Sequence, residues 1–426
     1  MRNSPLFTVF MVTFIGLMSF GFFVPLLPFY AIDYGANEFV LGLLIASYAA
    51  AQLVGAPILG RLSDRYGRRP VLLISTAGTL FSLLLLAFAN SLWMLFVSRL
   101  LDGLTGGNIS VAQAYVTDVT TEENRAKGLG LLGVAFGLGF IIGPAMGGLL
   151  SGLGADVIAP AALESGSAFL QGFNWTYALP AFGAALIALI NVIQVVYLPE
   201  SLTPERRAEI ARQNASRTGA SFTLSALRET LARPRVGPLL NMRFFYSFSF
   251  SMFQSAFPLY ASVQFGLGPT ETAFILTYVG ILAVFVQGFA IGKLTQRFSE
   301  PLLLYWSSVG MAAGLLGWAL APSVPLLLVV LIPISIAGGV FNTMINSALT
   351  KASSADEAGG ILGISAALES ATRVTGPAIG NSAIGSLGAW SPGVLGAILT
   401  VLTSIYVWNQ IVLKSKQKLR PEPESA

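Results

Sequence analysis

The sequence predicts an all-α integral membrane protein with twelve transmembrane helices in two related halves of six. Three observations carry that expectation. Of the 426 residues 10% are charged and 54% hydrophobic, with a mean hydropathy of +0.73. Average soluble chains carry about 25% charged residues, so this chain lacks the polar groups to cover a globular surface. Apolar runs of about 20 residues, long enough to cross hydrocarbon as helices, recur from end to end. The punctuation also repeats. Pro25 and Pro258 are 233 residues apart, Gly60 and Gly292 are 232 apart, and Gly143-Pro144 and Gly376-Pro377 are again 233 apart. One such match is chance in a chain with 45 Gly; three in corresponding spans argue for duplication.

The first half is expected over 1–198. Span one, 7–30, follows Arg2 as a signal peptide would, but it is too long and no small-residue cleavage site precedes the next span, so it is read as retained. It ends in VPLLP, 24–28. Spans two and three, 39–59 and 71–90, are joined by GRLSDRYGRRP, 60–70, where Gly60 and Gly67 permit tight turns with φ > 0. Span four, 92–118, contains MLFVSRLLDGLTGG, an apolar stretch with Arg99 and Asp102 set into it. Span five, 128–151, contains GVAFGLGFIIGPAMGG, 133–148. There Gly133, Gly137, Gly143, Gly147 and Gly148 give the small-residue spacing that lets helices approach, and Pro144 frees a carbonyl and bends the helix. Span six is 174–198, and 199–236 is the one long polar insert, a cytoplasmic linker. The second half, 237–413, runs through 237–264, 270–292, 301–321, 323–350, 358–386 and 390–413, before a tail at 414–426.

With an even number of spans, both termini lie on one side. Of 24 Lys and Arg, three (Arg99, Arg243 and Arg373) lie inside spans, and the other 21 fall in the termini or the loops on that side. The opposite loops hold only Asp33, Glu38, Asp156, Glu164 and Glu271. The positive-inside rule then places both termini in the cytoplasm, in a cell's inner or plasma membrane. This asymmetry explains the basic pI of about 9.3 without a nucleic-acid partner. The chain has no Cys and no His, so no disulfide framework, metal site or cofactor is expected. Six-span halves joined by a linker are a transporter architecture, with the site for a small molecule between the halves near the midplane of the lipid bilayer. A monomer is expected.

The Gly-x-Leu-x-Asp-Arg-x-Gly-Arg-Arg spacing of the 60–70 loop resembles the signature loop of the major facilitator superfamily. The span-five pattern is similar to that superfamily's antiporter motif, and VPLLP and SRLLDGLTG resemble its twelve-span drug:proton antiporters, above all the tetracycline and multidrug export branch. The resemblance covers nearly the whole chain. It implies that Gly60, Asp64, Arg65, Gly67, Arg68 and Asp118 form a latch for the outward-facing state. Asp64 would meet a helix terminus of the other half, and Arg68 would pair with Asp118 at the inner end of span four. The copy in the second half, GKLTQRFSEP, has Gln296 where the Asp would stand, which implies a one-sided latch. The span-five glycines with Pro144 would bend and seal the interface between halves. Tetracycline exporters carry an acid where this chain has Gly16, and a His in span eight, so proton coupling here must use other carboxylates.

Intramembrane charges are costly and mark ion or substrate paths. Arg99 and Asp102, three apart, share a helix face; Glu369 and Arg373, four apart with the acid first, form a second pair. At the repeat offset their counterparts are Ile332 and Ser335, and Phe136 and Phe140, so neither pair was copied with the scaffold. These four are the candidate proton-coupling residues, set against a bland reading as self-neutralised packing pairs. Asn241, Tyr246, Phe250, Gln254, Gln287, Asn342 and Asn346 are the candidate substrate surface, aromatic with a few amides, suited to a bulky apolar solute. The expected function is proton-coupled efflux of an amphipathic small molecule; the alternative is a proton symporter or uniporter for a polar nutrient. A membrane enzyme is disfavoured because the spans hold no His, Cys or paired-Asp motif. A transport-like receptor lacks a signalling domain.

Overall fold

The computed structural model describes residues 5–203, 205–207, 224–354 and 357–413. The core of the expected linker and the tail lie outside them. Every regular element among the described residues is helical. The chain forms two compact units, Met1–Ala220 with Ala261–Gly280, and Ser221–Tyr260 with Ile281–Ala426.

In the first unit the helices are α1 (Pro5–Phe23), α2 (Leu27–Asp33), α3 (Glu38–Tyr66), α4 (Arg68–Ala87), α5 (Leu92–Thr105), α6 (Asn108–Val119), α7 (Glu122–Leu153), the short α8 (Ala159–Glu164) and α9 (Ala168–Gln171), and α10 (Trp175–Val196). Then come α11 (Leu224–Ala232), α12 (Gly237–Phe265), α13 (Pro269–Phe285), α14 (Ile291–Arg297), α15 (Glu300–Ala319), α16 (Val324–Ala352), α17 (Ala358–Leu387) and α18 (Ser391–Val407). Wide π-turns extend α7, α13 and α18 at Gly154–Ile158, Val286–Ala290 and Trp408–Val412.

Nine helical runs among the described residues are long and apolar enough to cross a membrane. The other expected spans are the three that carry an intramembrane Arg. Span four is split at Gly106–Gly107 into α5 and α6. The helices α12 and α17 have the length, 29 and 30 residues, but carry Arg243, Glu369 and Arg373. Span one is also split, by a turn through Val24–Leu26, because Pro25 and Pro28 remove two amide donors within four residues. Pro144, Pro258 and Pro377 instead stay inside continuous helices.

Duplication is visible in the packing. A Cβ at Gly143 would lie 2.7 Å from the Gly21 Cα and 2.8 Å from the Met18 carbonyl oxygen; one at Gly376 would lie 2.7 Å from the Ser251 Oγ. Met18 and Ser251 are 233 residues apart, as are Gly143 and Gly376. In each unit, then, the fifth span seats its glycine face on the first.

Ala261–Gly280 groups with the first unit, where α7 accepts it through small residues. A Cβ at Gly148 would meet Ala273 at 2.7 Å, and one at Gly280 the Phe140 carbonyl oxygen at 2.8 Å.

Candidate functional site: charged clusters in the two units

At the start of α4 the backbone turns on Gly67, whose φ of 111° suits glycine. Gly60, expected in a turn, lies inside α3, which runs two turns past the apolar stretch to Tyr66. The turn points Arg68 inward, and it is 5% exposed. Its Nη1 donates to the Asp64 Oδ1 at 2.5 Å and the Ser63 Oγ at 2.8 Å, and its Nε donates to the Asp118 Oδ2 at 3.0 Å. Arg65 faces outward, with its guanidinium carbon 5.3 Å from the Tyr66 ring centre.

The centre of this cluster includes a residue that the sequence reading missed. Glu200 accepts from the backbone amides of Arg68 at 2.8 Å, Arg69 at 3.2 Å and Leu202 at 3.1 Å. Its carboxylate thereby satisfies free amides at the N-terminus of α4 and complements the helix dipole. The available signal was an acid directly after Pro199, at the end of a span on the side where the basic loops cluster. In the second unit the Lys351 Nζ lies 2.5 Å from the Glu300 Oε1, which also accepts from the Ser347 Oγ at 2.7 Å.

Arg99 and Asp102 are brought together at the α4–α5 contact, 3% and 6% exposed. The Arg99 Nη1 is 3.5 Å from the Asp102 Oδ2, and the Asp102 Oδ1 accepts from the Thr79 hydroxyl at 2.9 Å. The Arg99 Nη2 reaches the hydroxyls of Ser82 at 3.3 Å and Ser98 at 3.4 Å, while its buried Nε has no partner among the described residues.

The second pair has a third member. Glu369 accepts at Oε1 from the Arg373 Nη2 at 2.7 Å, and at Oε2 from the Arg243 Nη2. Arg243 also donates through Nη1 to the Asn342 Oδ1 at 2.8 Å. This trio ties α12, α16 and α17 together. Arg243 was visible in the sequence as an intramembrane Arg, but its partner is 126 residues away and no periodicity announces it.

Of the expected substrate surface, Gln254, Gln287, Asn342 and Asn346 are exposed, and Asn241 and Phe250 half-buried. Tyr246 is a correction: it is 2% exposed, stacked on Phe341 with ring centres 3.6 Å apart, and belongs to the core. Phe253 and Phe257 are buried too, Phe253 edge-on to Trp318. Tyr246, Phe253 and Phe257, at near-helical spacing along α12, are thus packing residues. Among the span-five glycines, Gly143 and Gly147 press on α1 and Gly148 on Ala273, but a Cβ at Gly133 would meet nothing within 4 Å, and Gly137 is half-buried. Gly139, which was not singled out, faces Leu17 and Met18 instead.

Known transporters resemble this chain over most of its length. A tetracycline resistance protein, class H, of Pasteurella multocida is 30% identical over 385 residues, 88% of each chain. Solute carrier family 22 member 18 of Rattus norvegicus is 28% identical over 93% of this chain and 91% of its own. The solved structure of a bacterial homologue of the human lysosomal transporter Spinster, inward-facing and occupied, superposes with a TM-score of 0.72 at 15% identity, covering 99% of both chains. The family model of the Major Facilitator Superfamily matches residues 9–242 and again 239–426, one match for each half. The chain belongs to the major facilitator superfamily and is a membrane transporter of small molecules, not an enzyme.

Proposed function

We propose that the protein exports an amphipathic, drug-like small molecule by alternating access, driven by the inward movement of protons, with both termini in the cytoplasm. The observation that carries this reading is the pair of charged clusters, Arg99–Asp102 and Arg243–Glu369–Arg373, held inside helices that otherwise suit hydrocarbon. Each contains one carboxylate beside a guanidinium, and a carboxylate whose partners change between conformations can take up a proton on one side and release it on the other. The resistance-protein relative supports efflux as the direction. The inner cluster around Arg68, Asp64, Asp118 and Glu200 supports a state-dependent latch, because it joins α3, α4 and α6 to the segment after α10 through bonds that a helix movement would break together.

The test is a screen in proteoliposomes under an imposed pH gradient. Lipophilic dyes and antibiotics are added, and substrate flux is measured with internal pH. The reading expects flux of at least one amphipathic compound, coupled to opposite proton movement. Gradient-driven uptake of a polar sugar, nucleoside or peptide in the same direction as protons, with no amphipath moved, would overturn it.

A further inference from the structure

The trio in the second unit holds two positive charges and one negative. Arg243 is consumed by packing: its side chain is 7% exposed, and it bonds to both Glu369 and Asn342. Arg373 is placed differently. Its side chain is 57% exposed, it stands sixteenth of the thirty residues of α17, and among the described residues its guanidinium bonds only to Glu369. An exposed guanidinium at the middle of a membrane-crossing helix does not face hydrocarbon; it faces water or a cavity.

A packing role does not account for it. The Arg243–Glu369 pair is already neutral and joins α12 to α17, so a second Arg adds an uncompensated charge and the cost of keeping it in the membrane. Nor is it inherited scaffold. At the repeat offset of 233, the counterparts of Arg243, Asn342, Glu369 and Arg373 are Phe10, Ile109, Phe136 and Phe140, all apolar. Phe136 and Phe140 stack on each other, centres 5.6 Å apart. The whole polar group was therefore built into one half. Beside it, Asn342 and Asn346 leave amides exposed one turn apart on α16.

We propose that Arg373 is a binding residue for the anionic group, a carboxylate or a comparable oxyanion, of the transported amphipath, with Glu369 as the internal counter-ion that holds the guanidinium when the site is empty. This rests on the amphipathic-substrate reading above and adds the charge of the solute. A guanidinium offers a planar fork of donors matched to two oxygens, and only one of its terminal nitrogens is engaged by Glu369.

The experiment uses three probes with one pyrene body: pyrenebutyrate, pyrenebutanol and pyrenebutylamine. Each is titrated into the purified full-length protein in detergent, and energy transfer from tryptophan is read with protein-free micelles subtracted. Wild type should bind pyrenebutyrate about tenfold or more tightly than pyrenebutanol, the worth of one charge-assisted hydrogen bond. Arg373→Gln should bind the two alike, with its pyrenebutanol affinity unchanged, and Arg373→Lys should keep part of the preference. An anion preference that survives Arg373→Gln overturns the proposal. Equal binding of all three probes by wild type overturns it too, while leaving the amphipathic-substrate reading intact; binding of none overturns both. Displacement of pyrenebutyrate by a few molecules of phosphatidylglycerol per protein would assign Arg373 to a lipid headgroup, and would also overturn it.

Discussion

Glu300 and Lys351 form in the second unit, with signs exchanged, the ion pair that Arg68 and Asp118 form in the first. Their charged atoms are 2.5 Å apart; those of Arg68 and Asp118 are 3.0 Å apart. Arg68 stands 232 residues before Glu300, and Asp118 stands 233 before Lys351, the offsets of the repeat. In each half, then, the start of the third span is ion-paired with the end of the fourth. The expectation of a one-sided latch compared Gln296 with Asp64 and did not consider this sign-reversed pair.

The two pairs differ in burial, and that sets their weights. The Lys351 side chain is 68% exposed and the Arg68 side chain 6%. Exposed pairs are worth about 0.2–1 kcal/mol, whereas breaking a buried pair costs about 3–5 kcal/mol. Lys351→Ala should change the transport rate a few-fold at most, while Arg68→Ala should abolish transport or folding. Lys351→Glu, which sets like charges together, should be worse than Lys351→Ala, and the added substitution Glu300→Lys should restore it. Initial transport rates in everted vesicles, normalised to protein in the membrane, decide the order. Failure of the charge swap to rescue would show that Ser347 and the local backbone, not the charge pair, hold this end.

The glycine face offers a test with its own control. A Cβ at Gly143 would press on backbone atoms of α1, which cannot rotate away. Gly143→Ala should therefore destabilise by about 1–3 kcal/mol, as overpacking does. Gly376→Ala should cost somewhat less, because the Ser251 Oγ at 2.7 Å can turn away although the Ser251 Cβ at 2.9 Å cannot. Gly133→Ala, with nothing within 4 Å, should be neutral or should stabilise by up to about 1 kcal/mol, since alanine loses less entropy in a helix than glycine does. Thermal unfolding of the three variants in one detergent checks the ranking, and equal losses would refute the close-approach account.

Much of this was legible in the sequence because membrane helices are written in long, simple signals. Apolar run length and the spacing of Pro and Gly carry the helical class and the duplication, while the Arg68–Asp118 partnership was implied by the resemblance of the 60–70 loop to the superfamily's signature loop. Local breaks were harder to see. Gly106–Gly107 interrupts α5 and α6, yet glycine pairs in α7 and α17, Gly147–Gly148 and Gly359–Gly360, do not interrupt theirs, so the dipeptide alone decides nothing. Partnerships between distant helices were least visible. Arg243 with Glu369, and Glu200 with the amides of α4, depend on which faces meet after folding. Periodicity also cannot tell an aromatic stripe on a cavity from one in a core, which is why Tyr246 was misplaced.

The orientation expected from loop charge can be tested directly on this cysteine-free chain. Glu164→Cys, in the exposed α8, should react with an impermeant maleimide on intact cells. Asn214→Cys, in the linker, outside the described residues, should react only after permeabilisation. Labelling of position 214 on intact cells would reverse the assignment of both termini.

The last prediction concerns Asp102. Asp102 is 6% exposed, and among the described residues its carboxylate meets the Thr79 hydroxyl on one oxygen at 2.9 Å and Arg99 near the other at 3.5 Å. A small slide of α4 along α5 would break the Thr79 contact and the Ser82 contact that holds Arg99, while Arg99, on the same helix as Asp102, stays within reach, and such a change of surroundings is what a residue that binds a proton in one state and releases it in another requires. Asp102→Asn keeps the shape, and its carbonyl can still accept from Thr79, but it leaves the buried Arg99 charge without its counter-ion, so fluxes are normalised to folded protein in the membrane. The substitution removes the group that can be charged or neutral, and leaves Arg99 to Ser82 and Ser98. Proton movement on addition of substrate to proteoliposomes should therefore vanish, together with accumulation driven by a pH gradient. Exchange of external for internal substrate needs no net proton transfer and should persist at least in part. Glu369→Gln serves as the comparison: loss of coupling there with Asp102→Asn unaffected would move the proton site to the second unit. If Asp102→Asn moves protons and substrate at the wild-type ratio, Arg99 and Asp102 are a packing pair that fixes α5 against α4.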